Sequence, residues 1–314
     1  MGIQYLNSYM KNNTTSKSIF KISFDELRDK VIAIDISIYL YKFSNDGLLI
    51  VNIYNMLSIF TYYNINAIFV FDGKAPPEKK LLLDKREEEK VRAKVKYKEL
   101  EDNLKNSMDL EKQDITEQMI SLKKKFIKLK HNDIQKVKQL ISAFGFSYIQ
   151  PDCEADLICA KMVVKKIAYA CLSEDMDMFL YGCNRVLRYL SLINHSVIMY
   201  NLKNILIDLK LSFKEFKEIC VISGTDYNID NNKINFYDAL NLYNKFKATN
   251  YYDFYEWLDS NTEYIDNIYV LYNIYNMFLT ENIVLNDYSI KLKKKEINYN
   301  MIKNIMIPEG FIFI

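Results

Sequence analysis

Seven carboxylates carry the chemistry open to this chain. Asp35, Asp72, Glu154, Asp156, Asp175, Asp177 and Asp226 each sit beside an apolar segment or at its end, where a solvated charge would be out of place. Two pairs, Glu154/Asp156 and Asp175/Asp177, are spaced two residues apart. At a strand end or helix start, that spacing aims two carboxylates into one cleft. Two carboxylates about 4 Å apart repel by roughly 4 kcal/mol at an effective dielectric near 20. A cluster of seven therefore needs cations. Oxygen-only ligation favours Mg²⁺ or Mn²⁺ over zinc, and two such ions about 3.5–4 Å apart are the usual apparatus of phosphodiester hydrolysis. Any single Asp reads as a helix cap or a strand-end turn. Seven at strand ends, with basic helices nearby, read as a metal-dependent site.

The elements that must position these groups are visible as short apolar runs. Residues 31–35 (VIAID) end in a carboxylate, and residues 67–72 (AIFVFD) repeat the design before Gly73. Residues 167–172 (IAYACL) form a third run, followed by SEDMD. Continuous apolar runs of four to eight residues fit parallel strands buried on both faces. The apolar-rich segment 48–62 between the first two is long enough for a crossover helix. The pattern predicts an α/β fold with a mostly parallel central sheet flanked by helices. Ligands of such sheets sit at the carboxyl ends of the strands.

Residues 75–130 differ. They are charged, rich in helix formers and free of Gly and Pro after Pro77, with a second basic run at Lys123-Lys124-Lys125. They read as long exposed helices inserted between strands, either a solvated hairpin or a nucleic-acid element. Residues 131–144 read as a helix, 146–149 as a strand, and Pro151 as a turn into a helix carrying Glu154 and Asp156. After Asp226 the chain reads as mainly helical. The division expected is a core over 1–228 with its inserted helices at about 75–130, and a helical region over 229–314 packed on it.

Composition narrows the classes. The chain has 314 residues, half of them hydrophobic, so a core can form and disorder as the main state is excluded. Lys and Arg number 42 against 40 Asp and Glu, so distribution rather than total charge must speak for partners. Five Cys make no CxxC pair, which argues for a reducing, intracellular setting in nucleus or cytoplasm. Only His131 and His195 are present, which argues against His-based catalysis. No apolar run reaches about 18 residues. No signal peptide leads the chain, and Leu6 breaks the myristoylation pattern. Abundant Lys, Asn, Ile and Tyr suggest an AT-rich genome.

The ordered motifs resemble those of the flap endonuclease family of structure-specific 5′ nucleases, which includes the XPG-type repair nucleases. Met1-Gly2-Ile3 resembles its N-terminus, and residues 31–41 (VIAIDISIYLY) its first motif. Phe71-Asp72-Gly73-Lys74 with Pro76-Pro77 and Lys79 resembles the second, and Lys85-Arg86 keeps its basic spacing. Lys130-His131-Asn132-Asp133 resembles the segment leaving the family's helical arch. Cys153-Glu154-Ala155-Asp156, Ser173-Glu174-Asp175-Met176-Asp177 and Ser223-Gly224-Thr225-Asp226-Tyr227 resemble the remaining acidic motifs. The resemblance covers about residues 1–228 with all seven acidic places filled.

The resemblance implies a 5′ nuclease (PIN-like) fold with a helical arch, and a 5′ flap endonuclease and 5′–3′ exonuclease of DNA replication, repair or recombination. It implies two Mg²⁺ ions, with Mn²⁺ able to substitute. Asp35, Asp72, Glu154 and Asp156 would serve one ion. Asp175, Asp177 and Asp226 would serve the other, with Asp156 shared. Lys79 and Arg86 would contact the scissile phosphate from the foot of the arch, a task for which a guanidinium or ammonium suits developing phosphoryl charge. Tyr41 would stack on a base near the cut, and Gly2, once Met1 is removed, would place an amine near the site. The implied partner is branched or flapped DNA, with the protein as a monomer.

Departures from the pattern bear on substrate choice. The connector from Asp35 to Asp72 is short, with residues 44–47 (SNDG) reading as a tight turn where the family builds a wedge and a 3′-flap pocket. Residues 228–235 hold no Gly where the family has a Gly-x-Gly hairpin for potassium and phosphate, leaving Lys233 as the phosphate contact there. The C-terminus lacks the sliding-clamp motif, a trimming that fits a viral or parasite source. Two other readings are a 5′–3′ exoribonuclease, for which the chain is short, and a non-catalytic nucleic-acid-binding scaffold, which would have no reason to keep seven carboxylates.

Overall fold

The computed structural model describes residues 2–106, 109–227, 234–265, 267–280, 285 and 295–313. Helix α1 (Leu6–Asn13) precedes strands β1 (Ile19–Ser23) and β2 (Val31–Asp35). Helices α2 (Ile36–Asn45) and α3 (Leu49–Tyr62) make the crossover to β3 (Asn66–Val70). The inserted helices are α4 (Lys80–Asn106) and α5 (Asp109–Lys125), and α6 (His131–Ala143) leads to β4 (Ser147–Ile149). Helix α7 (Ala155–Val164) is followed by β5 (Ala170–Leu172), β6 (Arg185–Ser191) and β7 (Ser196–Asn201). The remaining described elements are helical: α8 (Leu202–Leu209), α9 (Phe213–Ile222), α10 (Phe236–Lys247), α11 (Phe254–Asn261), α12 (Ile268–Met277) and α13 (Tyr299–Met306).

The strands form one seven-stranded sheet in the order β1-β7-β6-β5-β2-β3-β4. The pairs β6/β5, β5/β2, β2/β3 and β3/β4 are parallel, and β7 adds antiparallel to β6 and to β1. The expected α/β class with a mostly parallel sheet is what forms. The apolar runs are continuous because both faces are covered. Ile32 and Ile34, Ala67 and Phe69, and Ala170 and Leu172 enter one core with α2, α3 and α6. Their alternates, Ala33, Ile68, Val70 and Cys171, enter a second core with α1, α7, α9 and α10. That alternation is the two-residue period of a strand.

Three elements differ from expectation. The run expected as a strand over 167–172 is a strand only over β5. Lys166 is left-handed (φ 60°), and the amides of Ile167 and Ala168 both donate to Met162 O, so those residues close α7 instead. The hairpin β6–β7 and the edge strand β1 have no counterpart in the sequence reading. The β6–β7 turn, residues 192–195, contains no Gly; His195 supplies the positive φ of 43°.

Short connections hold the frame. Gly47 (φ 71°) donates to Ser44 O at 3.0 Å, so only three residues separate α2 from α3. Helix α4 packs along α5, with Tyr97 edge-on to Phe126 at 5.4 Å. The last described segment ties back to the core: Lys295 N donates to Gly145 O, Asn298 N donates to Ala143 O, and buried Ile302 and Met306 face α6. No helix among the described residues is long and apolar enough to cross a membrane.

Candidate active site

The parallel strands end at one edge of the sheet, and the acidic residues collect there. Asp35 is the last residue of β2 and the N-cap of α2, accepting from Ser37 N at 3.1 Å and from Ser173 Oγ at 3.2 Å. Asp72 lies two residues past β3. Its Oδ1 accepts from Ala155 N at 3.0 Å, which binds it to the start of α7. The chain passes close there: Gly73 N donates to Cys153 O at 2.9 Å, and a Cβ on Gly73 would overlap Pro151 O and Cys153 O. Only glycine lets the β3 end approach the α7 start this tightly. Glu154 is the N-cap of α7 and Asp156 stands in its first turn. An N-terminus with its free amides is a favourable place for carboxylates.

The loop after β5 brings the next pair. Asp175 N donates to Ser173 Oγ, and Asp177 N donates to Asp175 Oδ1 at 3.0 Å. Both side chains are buried. Asp226 follows the end of α9. Lys79, from the turn before α4, inserts among these groups and is only 8% exposed. Its Nζ donates to Glu154 Oε1 at 2.7 Å and lies 3.5 Å from Asp226 Oδ2. Arg86, on α4, donates to Asp226 Oδ2 at 3.3 Å. The foot of the insertion thus sets two of its basic residues, Lys79 and Arg86, on the acidic cluster.

Electrostatics mark the cluster as short of positive charge. Burial, with Asp72 and Asp175 nearby, pushes Asp35 up to about 7. Burial first, then neighbouring carboxylates, raises Asp156, Asp175 and Asp177. Burial works against the Lys79 ammonium, but Glu154, Asp226 and Asp156 outweigh it and hold its pKa above the usual lysine range. Asp156 Oδ1 and Asp177 Oδ1 are buried and accept no hydrogen bond. Such orphaned anionic oxygens suit a hard divalent cation. Among the described residues no three acidic, His or Cys side chains already stand at chelating separations. Glu154 and Asp226 are held instead by Lys79 and Arg86.

All seven carboxylates named from sequence have positions here, and Lys79 and Arg86 are joined to them. Gly2 (φ 77°) backs onto the same loop: a Cβ there would stand 2.7 Å from Asp175 Oδ1 and 2.9 Å from Asp177 Oδ1. Tyr41 is half-exposed on α2. Lys233 and the Gly-less segment 228–233 lie outside the described residues. Sequence reasoning gave no role to Tyr227, whose hydroxyl donates to Glu154 Oε2 at 3.0 Å and whose ring lies 5.1 Å under Lys79 Nζ. Its place directly after Asp226 was the available signal. Tyr181 Oη lies 3.3 Å from Tyr227 Oη and extends the contact.

The raised Asp35 sets a pH dependence. Unfolded, this carboxyl ionises near its ordinary 3.8; folded, it holds its proton to about 7. The native state therefore binds more protons between those values, and stability falls as pH climbs through that window and stays lower above it. Without divalent ions, Tm is expected to drop by about 5 °C or more from pH 5 to pH 8. Mg²⁺ should raise Tm far more at pH 8 than at pH 5. A flat metal-free profile by scanning calorimetry would contradict the assignment.

Comparison with known proteins agrees with this geometry. Residues 1–93 match the XPG N-terminal domain and residues 145–226 the XPG I-region. Flap endonuclease 1 of Methanococcus aeolicus is 30% identical over 331 aligned positions, covering 99% of this chain and 90% of the relative. The catalytic core of Rad2 in complex with DNA substrate superposes with a TM-score of 0.68 at 19% identity, over 98% of this chain and 95% of that one. Flap endonuclease-1 from Methanococcus jannaschii gives 0.64 at 23% identity, over 93% and 90%. At those identities the two structures speak for the fold. The sequence relationship speaks for descent, and this chain belongs to the XPG and flap endonuclease family.

Proposed function

We propose that the protein is a divalent-metal-dependent, structure-specific 5′ nuclease that hydrolyses DNA phosphodiesters at 5′ flaps and, as a 5′–3′ exonuclease, from 5′ ends, in replication, repair or recombination. One observation carries this reading. Carboxylates from β2, the β3 end, the α7 start, the β5 loop and the α9 end share one cluster, and the foot of a basic helical insertion reaches into it. The donors are all oxygen and two are orphaned, which fits two Mg²⁺ ions, or Mn²⁺ in their place. Asp35, Asp72, Glu154, Asp156, Asp175, Asp177 and Asp226 would hold them.

Bound there, such ions supply Lewis acidity at the phosphate and lower the pKa of an attacking water. The chain's own residues do the rest. Lys79 and Arg86, once released from Glu154 and Asp226, stand where a phosphodiester would meet the cluster and offset charge developing on it. Tyr227 keeps Glu154 oriented by its hydrogen bond. Between the inserted helices an open cavity of about 710 Å³ is lined by five basic residues, Arg86, Lys90, Arg92, Lys96 and Lys125, against one acidic residue, Glu89. Its charge suits the backbone of a single strand, with affinity that falls as salt rises. Tyr41, half-exposed on α2, offers a stacking face.

The test is cleavage of a labelled 5′-flap DNA beside a matched RNA flap and a plain duplex, with Mg²⁺. Incision near the flap base, with DNA preferred, is expected. Preference for the RNA strand would move the reading to an exoribonuclease, and DNA binding without any cleavage would leave a scaffold.

A further inference from the structure

Arg188 on β6 is a buried cation, 6% exposed, outside the acidic cluster. It faces two segments that flank that cluster. Its Nη2 donates to Glu174 O at 2.9 Å, its Nη1 contacts Met176 Sδ, and its Nε lies 3.7 Å from Glu174 Oε2. Those two residues bracket Asp175. The same Nη1 donates to Asn7 Oδ1 at 2.7 Å, on α1. Asn7 is held at both ends of its amide: its Oδ1 also accepts from Tyr200 Oη at 2.9 Å, and its Nδ2 donates to Tyr189 Oη at 2.8 Å. Tyr189 is left-handed (φ 55°) at the β6–β7 irregularity, and its amide donates to Glu174 Oε1 at 2.6 Å. A non-glycine residue in that conformation is held by its surroundings.

The two segments joined this way also meet at the cluster. Five residues before Asn7, Gly2 backs directly onto Asp175 and Asp177. We propose that Arg188 and Asn7 are positioning residues that lock the N-terminal segment to the Asp175–Asp177 loop, so that the spacing of these carboxylates for divalent ions depends on the lock. A guanidinium is suited to this because its planar fork serves two acceptors at once, whereas a lysine ammonium is a single point donor on a flexible stem. The inference rests on the metal-dependent reading above.

The experiment compares wild type with Asn7→Ala, Arg188→Met and Arg188→Lys. The rise of Tm with Mg²⁺ concentration is read without DNA, and single-turnover flap cleavage is read against Mg²⁺. All three variants should shift the Mg²⁺ midpoint at least fivefold upward in both readouts, while flap affinity in Ca²⁺ stays within twofold. The Asn7→Ala/Arg188→Met double variant should shift no further than Arg188→Met alone, because the two residues act through one path. If Arg188→Met does not fold, Asn7→Ala carries the test. Variants that lose Tm but keep the wild-type Mg²⁺ midpoint, or Arg188→Lys behaving as wild type, would overturn the lock. A wild type that gains stability from Mg²⁺ but cuts no DNA would overturn the nuclease activity, while a shifted thermal midpoint in the variants would still support the lock.

Discussion

Asp177→Ala is expected to bind a 5′ flap within about twofold of wild type and to cut it at least about 10³-fold more slowly, roughly 4 kcal/mol of lost transition-state stabilisation. The side chain is buried, one of its oxygens has no donor, and Asp175 and Asp226 raise its pKa after burial does. Such a group is a burden to the fold unless a cation meets it. Removing it takes away a ligand and a repulsive neighbour together. The Asp177 backbone amide, which donates to Asp175, is untouched by the substitution. The variant should therefore be no less stable than wild type in EDTA and should gain less from Mg²⁺. Single-turnover cleavage, with Tm in both buffers, checks this. Wild-type rates would remove Asp177 from the site, and a large loss of metal-free stability would make it a structural group.

Lys79→Ala should lower the single-turnover rate about 10²-fold, and Arg86→Ala about tenfold, each with a smaller change in affinity. The structure separates the two. Lys79 is buried between Glu154 and Asp226, whereas the Arg86 side chain is 41% exposed and, among the described residues, pairs with Asp226. Taking one partner from a buried ion pair leaves uncompensated charge, at a cost of about 3 kcal/mol or more. Lys79→Ala should accordingly also destabilise the metal-free protein, with Mg²⁺ restoring much of the loss, while Arg86→Ala barely changes Tm. Rates and affinities from the same preparations decide the matter. Loss of affinity with an unchanged chemical step would make both residues plain phosphate contacts.

Strands β2 and β3 were legible in the sequence because they are buried on both faces, so neither face leaves a polar mark in the run. The carboxylates were legible because an acid that ends such a run has no solvent to explain it. The inserted helices showed through their charge and their lack of Gly and Pro. The β6–β7 hairpin was not legible, because Arg185 and Arg188 break its apolar run and its turn uses His195 in place of glycine. The Arg188–Asn7 contact joins residues 181 apart through single side chains, and no period or spacing announces such a pair. The placement of Lys79 was anticipated at the site, but its direct pairing with Glu154 and Asp226 follows only from the three-dimensional meeting of the turn before α4 with the α7 start and the segment after α9.

The central claim is that these carboxylates work as a divalent-metal centre for cutting flapped DNA. Single-turnover incision of a labelled 5′-flap duplex by the wild-type protein, followed against Mg²⁺ concentration from an EDTA-treated start, tests it most directly. The account predicts no incision in EDTA, incision near the flap base as Mg²⁺ is added, a rise steeper than first order in Mg²⁺, and the same rise with Mn²⁺. Incision that persists in EDTA, or a protein that binds the flap and leaves it intact at every Mg²⁺ and Mn²⁺ concentration, would contradict it.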